Sequence, residues 1–215
     1  KVRGVDRLAG GIYSIIPDQI EAGTYMAAVA AAGGQVRIHN IIPKHLECIT
    51  AKLQEMGVSV VEDGDDLVVS RRGALSRANV KTMPYPGFPT DMQPQIAAVL
   101  CLAQGTSVLT EGVWDNRYRY VDEFRRLGAQ IQVDGKVAVI EGVSQLTGAP
   151  VRACDLRAGA ALVIAGLAAH GVTEIDSIYH IERGYEDIVR KLTGVGADIR
   201  VVITPDQEEA QANAG

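Results

Sequence analysis

DLRAGAALVIAGLAAHGVTEID, residues 155–176, decides the fold, because two other stretches of the chain share its layout. They are DQIEAGTYMAAVAAAGGQVRIHN at 18–40 and DMQPQIAAVLCLAQGTSVLTEG at 91–112. Each opens on an aspartate (Asp18, Asp91, Asp155) placed to cap a helix N-terminus, where a carboxylate accepts bonds from free N–H groups and meets the positive helix end. Each continues as an Ala-rich helix: Ala22–Ala32, Pro94–Ala103 and Ala158–Ala169. Nearly every position in these helices is small or apolar, so they should be buried all round. Glycine ends each one (Gly33-Gly34, Gly105, Gly171), and a short strand follows at 35–38, 107–109 and 172–175.

Downstream, a second helix is amphipathic. Ile49, Leu53 and Met56 share a face in the first copy, Val121, Phe124 and Leu127 in the second, and Ile188 and Leu192 in the third. Met56-Gly57-Val58, Leu127-Gly128-Ala129 and Val195-Gly196-Ala197 end these helices, and an alternating strand follows. In the first two copies Asp63-Gly64 and Asp134-Gly135 signal a hairpin into another strand. With a strand just before each aspartate, the unit reads β-α-β-α-β-β. The aspartates are 73 and 64 residues apart, too long for a solenoid. The expected fold is an α/β, inside-out α/β barrel domain of three such repeats, at about 15–70, 87–141 and 151–203. The helices lie inside a pseudo-threefold arrangement and the sheets outside. The polar tail, Pro205–Gly215, is expected to be disordered.

The 215 residues are 47% hydrophobic and 22% charged, a composition that can bury a real core. A net charge of −5 argues against a general nucleic-acid footprint, which needs a basic field. Apolar runs are broken well short of the ~20 residues a membrane helix needs. Cys48, Cys101 and Cys154 form no CxxC pair and read as reduced cytosolic thiols. The four histidines lack metal-ligand spacing, and no GxGxxG or GxxxxGK[ST] loop is present. No metal or cofactor is therefore expected, and phosphates would be held by side chains and helix ends.

Three stretches are more specific: YPGFPTDMQ at 85–93, DLRAGAALV at 155–163 and HIERGYE at 180–186. Together, and over nearly the whole chain, these resemble the C-terminal half of the UDP-N-acetylglucosamine enolpyruvyl transferases. Val113-Trp114-Asp115-Asn116-Arg117 resembles that family's nucleotide-sugar loop. The resemblance implies an enolpyruvyl transferase-like fold of two similar domains with the active site in the cleft between them. Phosphoenolpyruvate there gives its enolpyruvyl group to the sugar 3′-hydroxyl, and phosphate leaves. It also implies a bacterial, cytoplasmic enzyme of peptidoglycan synthesis. The family's other domain, with its reactive-cysteine loop, has no counterpart in this sequence. Residues 1–14 resemble a crossover from that domain, and the chain alone is expected not to turn over.

The reaction needs a group to take the hydroxyl proton, and a carboxylate can do so. The resemblance puts Asp91 in that role, against plain capping, and Asp155 in a polar role near the reacting carbon. Guanidinium forks suit phosphate and carboxylate. Arg117 and Arg183 follow the aspartates of their copies by 26 and 28 residues, and Arg157 lies two residues after Asp155. The resemblance favours all three as phosphoenolpyruvate contacts, and Val113 as a backbone contact to the nucleotide sugar. Lys44 has the corresponding spacing in the first copy without that support and reads as solvated charge. Two rivals remain: a sister enzyme acting on shikimate 3-phosphate, and a non-catalytic repeat domain used for binding. The second predicts that Asp91, Arg157 and Arg183 do not converge.

Overall fold

The computed structural model describes residues 1–203, so the expected disordered tail lies outside the described residues. The first copy comprises α1 (Gln19–Ala32), β1 (Gly34–Ile38), a 3-10 turn (Pro43–Leu46) leading into α2 (Glu47–Glu55), β2 (Ser59–Asp63) and β3 (Asp66–Arg71). Strands β4 (Leu75–Ser76) and β5 (Val80–Lys81) lead to a second 3-10 turn (Thr90–Met92) and α3 (Gln93–Leu100). Then come β6 (Ala103–Gln104), β7 (Thr106–Thr110), α4 (Val121–Arg126), β8 (Gln130–Asp134) and β9 (Val137–Glu141). The third copy has β10 (Pro150–Arg152), α5 (Leu156–Ala168), β11 (Glu174–Asp176), α6 (Tyr179–Glu182) and α7 (Ile188–Gly194).

Helices α1, α3 and α5 pack on one another at the centre. All eight residues of α3 are buried, as are most of those in α1 and α5. Small residues permit the close approach. A Cβ on Gly23 would lie 2.9 Å from Met92 Sδ, and one on Gly159 would lie 2.6 Å from Ile181 Cγ1. The sheets lie outside, with one face inward: β8 buries Ile131 and exposes its neighbours, and β2 buries Val60 in the same way.

The repeat holds down to single hydrogen bonds. Val58 N donates to Leu53 O, Ala129 N to Phe124 O and Ala197 N to Leu192 O, each closing the second helix of its copy. Gly57, Gly128 and Gly196 take φ between +89° and +97° at that bend, where an L side chain is strained. The sheet β1-β3-β2 has its counterpart in β7-β9-β8. The parallel pair β5–β7, joined through α3, matches β10–β11, joined through α5.

The copies are unequal where the sequence promised equality. Among the described residues no strand precedes α1, and β1 lies at the edge of its sheet. No hairpin follows α7 among the described residues, and the third copy holds only two paired strands. The strands form four separate sheets, and no closed barrel is present among the described residues. Only α1 ends on its expected glycine: α3 stops at Leu100, ahead of β6, and α5 is capped by Ala169.

Where two main chains touch, glycine is required. A Cβ on Gly142 would lie 1.5 Å from the Ala103 carbonyl oxygen, which cannot swing aside. Gly142→Ala should therefore cost about 3 kcal/mol, the upper part of the range for overpacking. Gly194→Ala, at an open helical position, should be neutral or gain up to about 1 kcal/mol. Urea melts of the two variants compare them; equal small effects would mean that β6 and the segment after β9 are not in contact.

Candidate active site

The repeat places all three aspartates as helix caps, and the structure caps a helix with two of them. Asp18 caps α1, its Oδ1 accepting from Ile20 N at 2.8 Å. Asp155 caps α5, its Oδ1 accepting from Ala158 N at 2.8 Å. Asp91 caps nothing: it sits inside the 3-10 turn ahead of α3, and Met92 occupies the cap position without a side-chain bond. The Asp91 carboxylate instead bridges two guanidiniums. Arg117 Nη2 donates to its Oδ1 at 3.0 Å and Arg157 Nη2 to its Oδ2 at 3.3 Å. Asp91 is 43% exposed while Arg117 and Arg157 are 21% and 15%, so the carboxylate faces solvent from between two largely covered cations.

Arg157 projects from the first turn of α5 and is held from behind. Its Nη1 donates to the Tyr185 hydroxyl at 3.3 Å, and its Cζ lies 5.7 Å from that ring's centroid. The same hydroxyl is 2.9 Å from Thr24 Oγ1 and 3.4 Å from Gln95 Nε2, with Gln95 also donating to Thr24. Burial disfavours the charge on Arg157, but Tyr185 and Asp91 outweigh it and hold the guanidinium protonated. A network thus runs from Thr24 on α1, through Gln95 on α3 and Tyr185, to Arg157 on α5 and out to Asp91. It brings the N-terminal halves of the three helices together.

Arg183 sits at the C-terminal end of α6, is exposed, and makes no ion pair or hydrogen bond among the described residues. Its neighbour Gly184 packs on Leu156, with Leu156 Cδ2 2.7 Å from where a Cβ would stand. Arg183 is thereby on the same end of the domain as Arg157, though not joined to Asp91. Asp155 holds its second oxygen 3.9 Å from Cys154 Sγ. Burial, then the Asp155 charge, pushes the Cys154 thiol up. Val113 is exposed, and its N–H is already given to Glu111 Oε1 at 2.9 Å, which leaves its carbonyl as the backbone group on offer. Lys44 is exposed and has no partner among the described residues.

Tyr185, Thr24, Gln95 and Glu111 were missed as site residues. A signal existed for Thr24 and Gln95: a polar side chain in a helix buried all round must find a partner inside. Tyr185 lay within a quoted motif without a role. Glu111 had no signal at all.

Residues 1–192 match the family described as EPSP synthase (3-phosphoshikimate 1-carboxyvinyltransferase). The chain belongs to that family. Among its relatives is UDP-N-acetylglucosamine 1-carboxyvinyltransferase 3 of Caldanaerobacter subterraneus subsp. tengcongensis, 59% identical over 200 residues, 93% of this chain and 48% of the relative. A UDP-N-acetylglucosamine 1-carboxyvinyltransferase of Desulfofundulus thermocisternus is 52% identical over the whole chain and 88% of its own length. This chain spans about half the length of most of the curated relatives it matches. Among solved structures, the enolpyruvyl transferase NikO from Streptomyces tendae superposes with a TM-score of 0.77 at 32% identity, over 86% of this chain and 44% of that one. EPSP synthase from Acinetobacter baumannii, at 20% identity and a TM-score of 0.65 over 89% of this chain and 46% of that one, shares the fold. The domain is therefore an enolpyruvyl transferase fold, with its helices inside and its sheets outside.

Asp91→Asn removes the charge that pairs with two covered guanidiniums, and turns one oxygen into a donor facing a donor. Discounted for the water that reaches Asp91, the expected loss is about 1 kcal/mol. Asp18→Asn exchanges one good cap for another and should cost less than about 0.5 kcal/mol. Thermal melts of the two variants side by side decide whether Asp91 is an ion-pair residue or a cap.

Proposed function

We propose that this chain forms one side of the cleft of an enzyme that transfers the enolpyruvyl group of phosphoenolpyruvate to the 3′-hydroxyl of UDP-N-acetylglucosamine. Phosphate is released, in the first committed step of peptidoglycan synthesis, in the bacterial cytoplasm. The observation that carries the reading is the Asp91 carboxylate held between Arg117 and Arg157 on the rim of the domain. It joins a proton acceptor to two anion-binding forks, the pair of functions the reaction demands. The names of the relatives at 59% and 52% identity supply the nucleotide sugar and the carboxyvinyl group transferred.

In this reading the sugar hydroxyl adds to C2 of phosphoenolpyruvate while Asp91 takes its proton. The methylene at C3 gains a proton. Loss of a proton from that carbon and departure of phosphate from C2 then re-form the C2–C3 double bond, now as an enol ether of the sugar. Arg117, Arg157 and Arg183 hold the phosphate and carboxylate, Asp155 lies near the reacting carbon, and the Val113 carbonyl orients the nucleotide sugar. Both Asp91 oxygens accept one bond each, which leaves each a second lone pair for the hydroxyl. The other side of the cleft belongs to a first domain, with residues 1–14 as the crossover from it. Among the described residues no helix is long and apolar enough to cross a membrane.

A sister enzyme acting on shikimate 3-phosphate shares the fold and the arginines. The relatives at 50% identity and above carry the UDP-N-acetylglucosamine name, whereas the shikimate-type structure is similar at 20%. Trp114, the chain's one tryptophan, is exposed in the loop assigned to the sugar and reports binding directly. Its emission should change on titration with UDP-N-acetylglucosamine and stay constant with shikimate 3-phosphate; the reverse outcome would overturn the substrate assignment. Joined behind the first half of the Caldanaerobacter relative, the chain should turn over, and alone it should not. In that hybrid Asp91→Asn should lower kcat by about 10²–10⁴-fold, the usual worth of general-base help, with a smaller change in the nucleotide-sugar KM.

A further inference from the structure

Glu111 is 1% exposed, stands just past the end of β7, and has no role in the reaction as proposed. Four donors converge on its carboxylate. Oε1 accepts from Thr82 Oγ1 at 2.7 Å, from Val113 N at 2.9 Å and from Trp114 N at 3.1 Å. Oε2 accepts from Thr90 Oγ1 at 3.0 Å. The donors come from three separate places: the end of β5, the turn that carries Asp91, and the loop that carries Val113 and leads to Arg117. The Val113 and Trp114 amides can only donate, so the carboxylate accepts from the loop whichever way the threonine hydroxyls turn.

The surroundings add a second lock. Thr82 is fully buried, and its hydroxyl, while donating to Glu111, accepts from Gly112 N at 2.8 Å. A Cβ on Gly112 would lie 2.2 Å from the Thr82 carbonyl oxygen, so the loop leaves β7 pressed against β5. Its first three amides, those of Gly112, Val113 and Trp114, are thereby tied either to Glu111 or to the threonine that Glu111 holds. Thr90 is the residue before Asp91.

We infer that Glu111 is a positioning residue: its carboxylate sets the Asp91 turn and the Val113–Arg117 loop at a fixed separation, so that the proton acceptor and the sugar-binding loop are built as one unit. The inference rests on the function proposed above for Asp91 and Val113, and its two ends can be separated by chemistry. Glu111→Gln keeps the oxygen that serves Val113 and Trp114, and its amide can donate to the Thr90 hydroxyl, which then turns to accept, so both links survive in neutral form. Thr90→Val removes the link to the Asp91 turn alone and spares the loop. Glu111→Ala releases both.

The test has one arm without catalysis and one with it. In this chain alone, hydrogen exchange of the Val113 and Trp114 amides should accelerate by about 10²-fold in Glu111→Ala and hardly change in Glu111→Gln. Trp114 fluorescence anisotropy should fall with the first variant only. If these amides stay protected in Glu111→Ala, the loop does not depend on Glu111 and the inference fails. In the hybrid with the first half of the Caldanaerobacter relative, Thr90→Val should lower kcat by about tenfold, with the UDP-N-acetylglucosamine KM within about twofold, while Glu111→Gln should keep kcat within about threefold. Thr90→Ser, which keeps the hydroxyl, should restore kcat. A purely structural carboxylate would lower the melting temperature and leave kcat of the folded fraction unchanged, which would overturn the assignment. Should Glu111→Ala not fold, Thr90→Val against Thr90→Ser decides the question. A wild-type hybrid without transfer activity would sink the proposed function, while the exchange arm still judges the loop.

Discussion

Three helices buried on every side impose the constraint from which the rest of this structure follows. A helix with a free face can turn its polar residues to water, and α1, α3 and α5 have almost no such face. Small residues solve the packing: Gly23 and Gly159 stand where even a Cβ would collide. Polar residues inside such a core must then pair with one another, because an unpaired buried group costs about 1–3 kcal/mol. Thr24, Gln95 and Tyr185 do pair, one residue from each copy. The chain of partners ends at Arg157, whose charge can be balanced only at the rim. The core's polar requirement and the site's cation are therefore one structure, and the site forms where the copies meet rather than within any one of them.

Repetition supplies three equivalent aspartates, and one local change separates Asp91 from the others. Asp18 and Asp155 are extended N-caps that enter their helices directly. At Asp91 a 3-10 turn intervenes, with extended Pro89 before it and a proline in the first turn of α3. Proline has no N–H for a cap to serve. The carboxylate is left without a helical donor and is taken up by guanidiniums instead. The prolines around the start of the second copy's helix thus convert a capping position into an ion-paired one.

The sequence was readable where the information is local or periodic. The repeat, the all-buried helices, and the amphipathic second helices that end at Gly57, Gly128 and Gly196 all follow from short-range pattern, and the structure has each of them. Misreadings arose where likeness between copies was carried too far. The repeat places Asp91 as a helix cap like Asp18, which it is not, and gives the first copy a leading strand that, among the described residues, the other two alone possess. Arg117 and Arg157 were expected at the site and lie on Asp91; Arg183 was expected there and lies at the same end, unpaired. Glu111 was out of reach because its partners are 2, 3, 21 and 29 residues away, and no spacing rule joins them.

Charge at the rim explains how an acidic chain could receive an acidic substrate. The net charge of −5 describes the whole chain, while at Asp91 itself two guanidiniums, Arg117 and Arg157, meet one carboxylate. Under the proposed reading an incoming phosphate competes with Asp91 for the same two forks. Each nitrogen bond drawn towards the ligand is one that Asp91 loses, and an oxygen freed of a donor is a better acceptor for a hydroxyl proton. Binding the anion and readying the base would then be the same rearrangement. Arg157 cannot follow the ligand far, because Tyr185 holds its other nitrogen and lies against its face. Arg117 has no such tether: its Nε is buried without a partner, and Asp91 is its one hydrogen-bond partner among the described residues. Of the two, Arg117 is the guanidinium free to move with the anion, and Arg157 is the fixed point against which it moves.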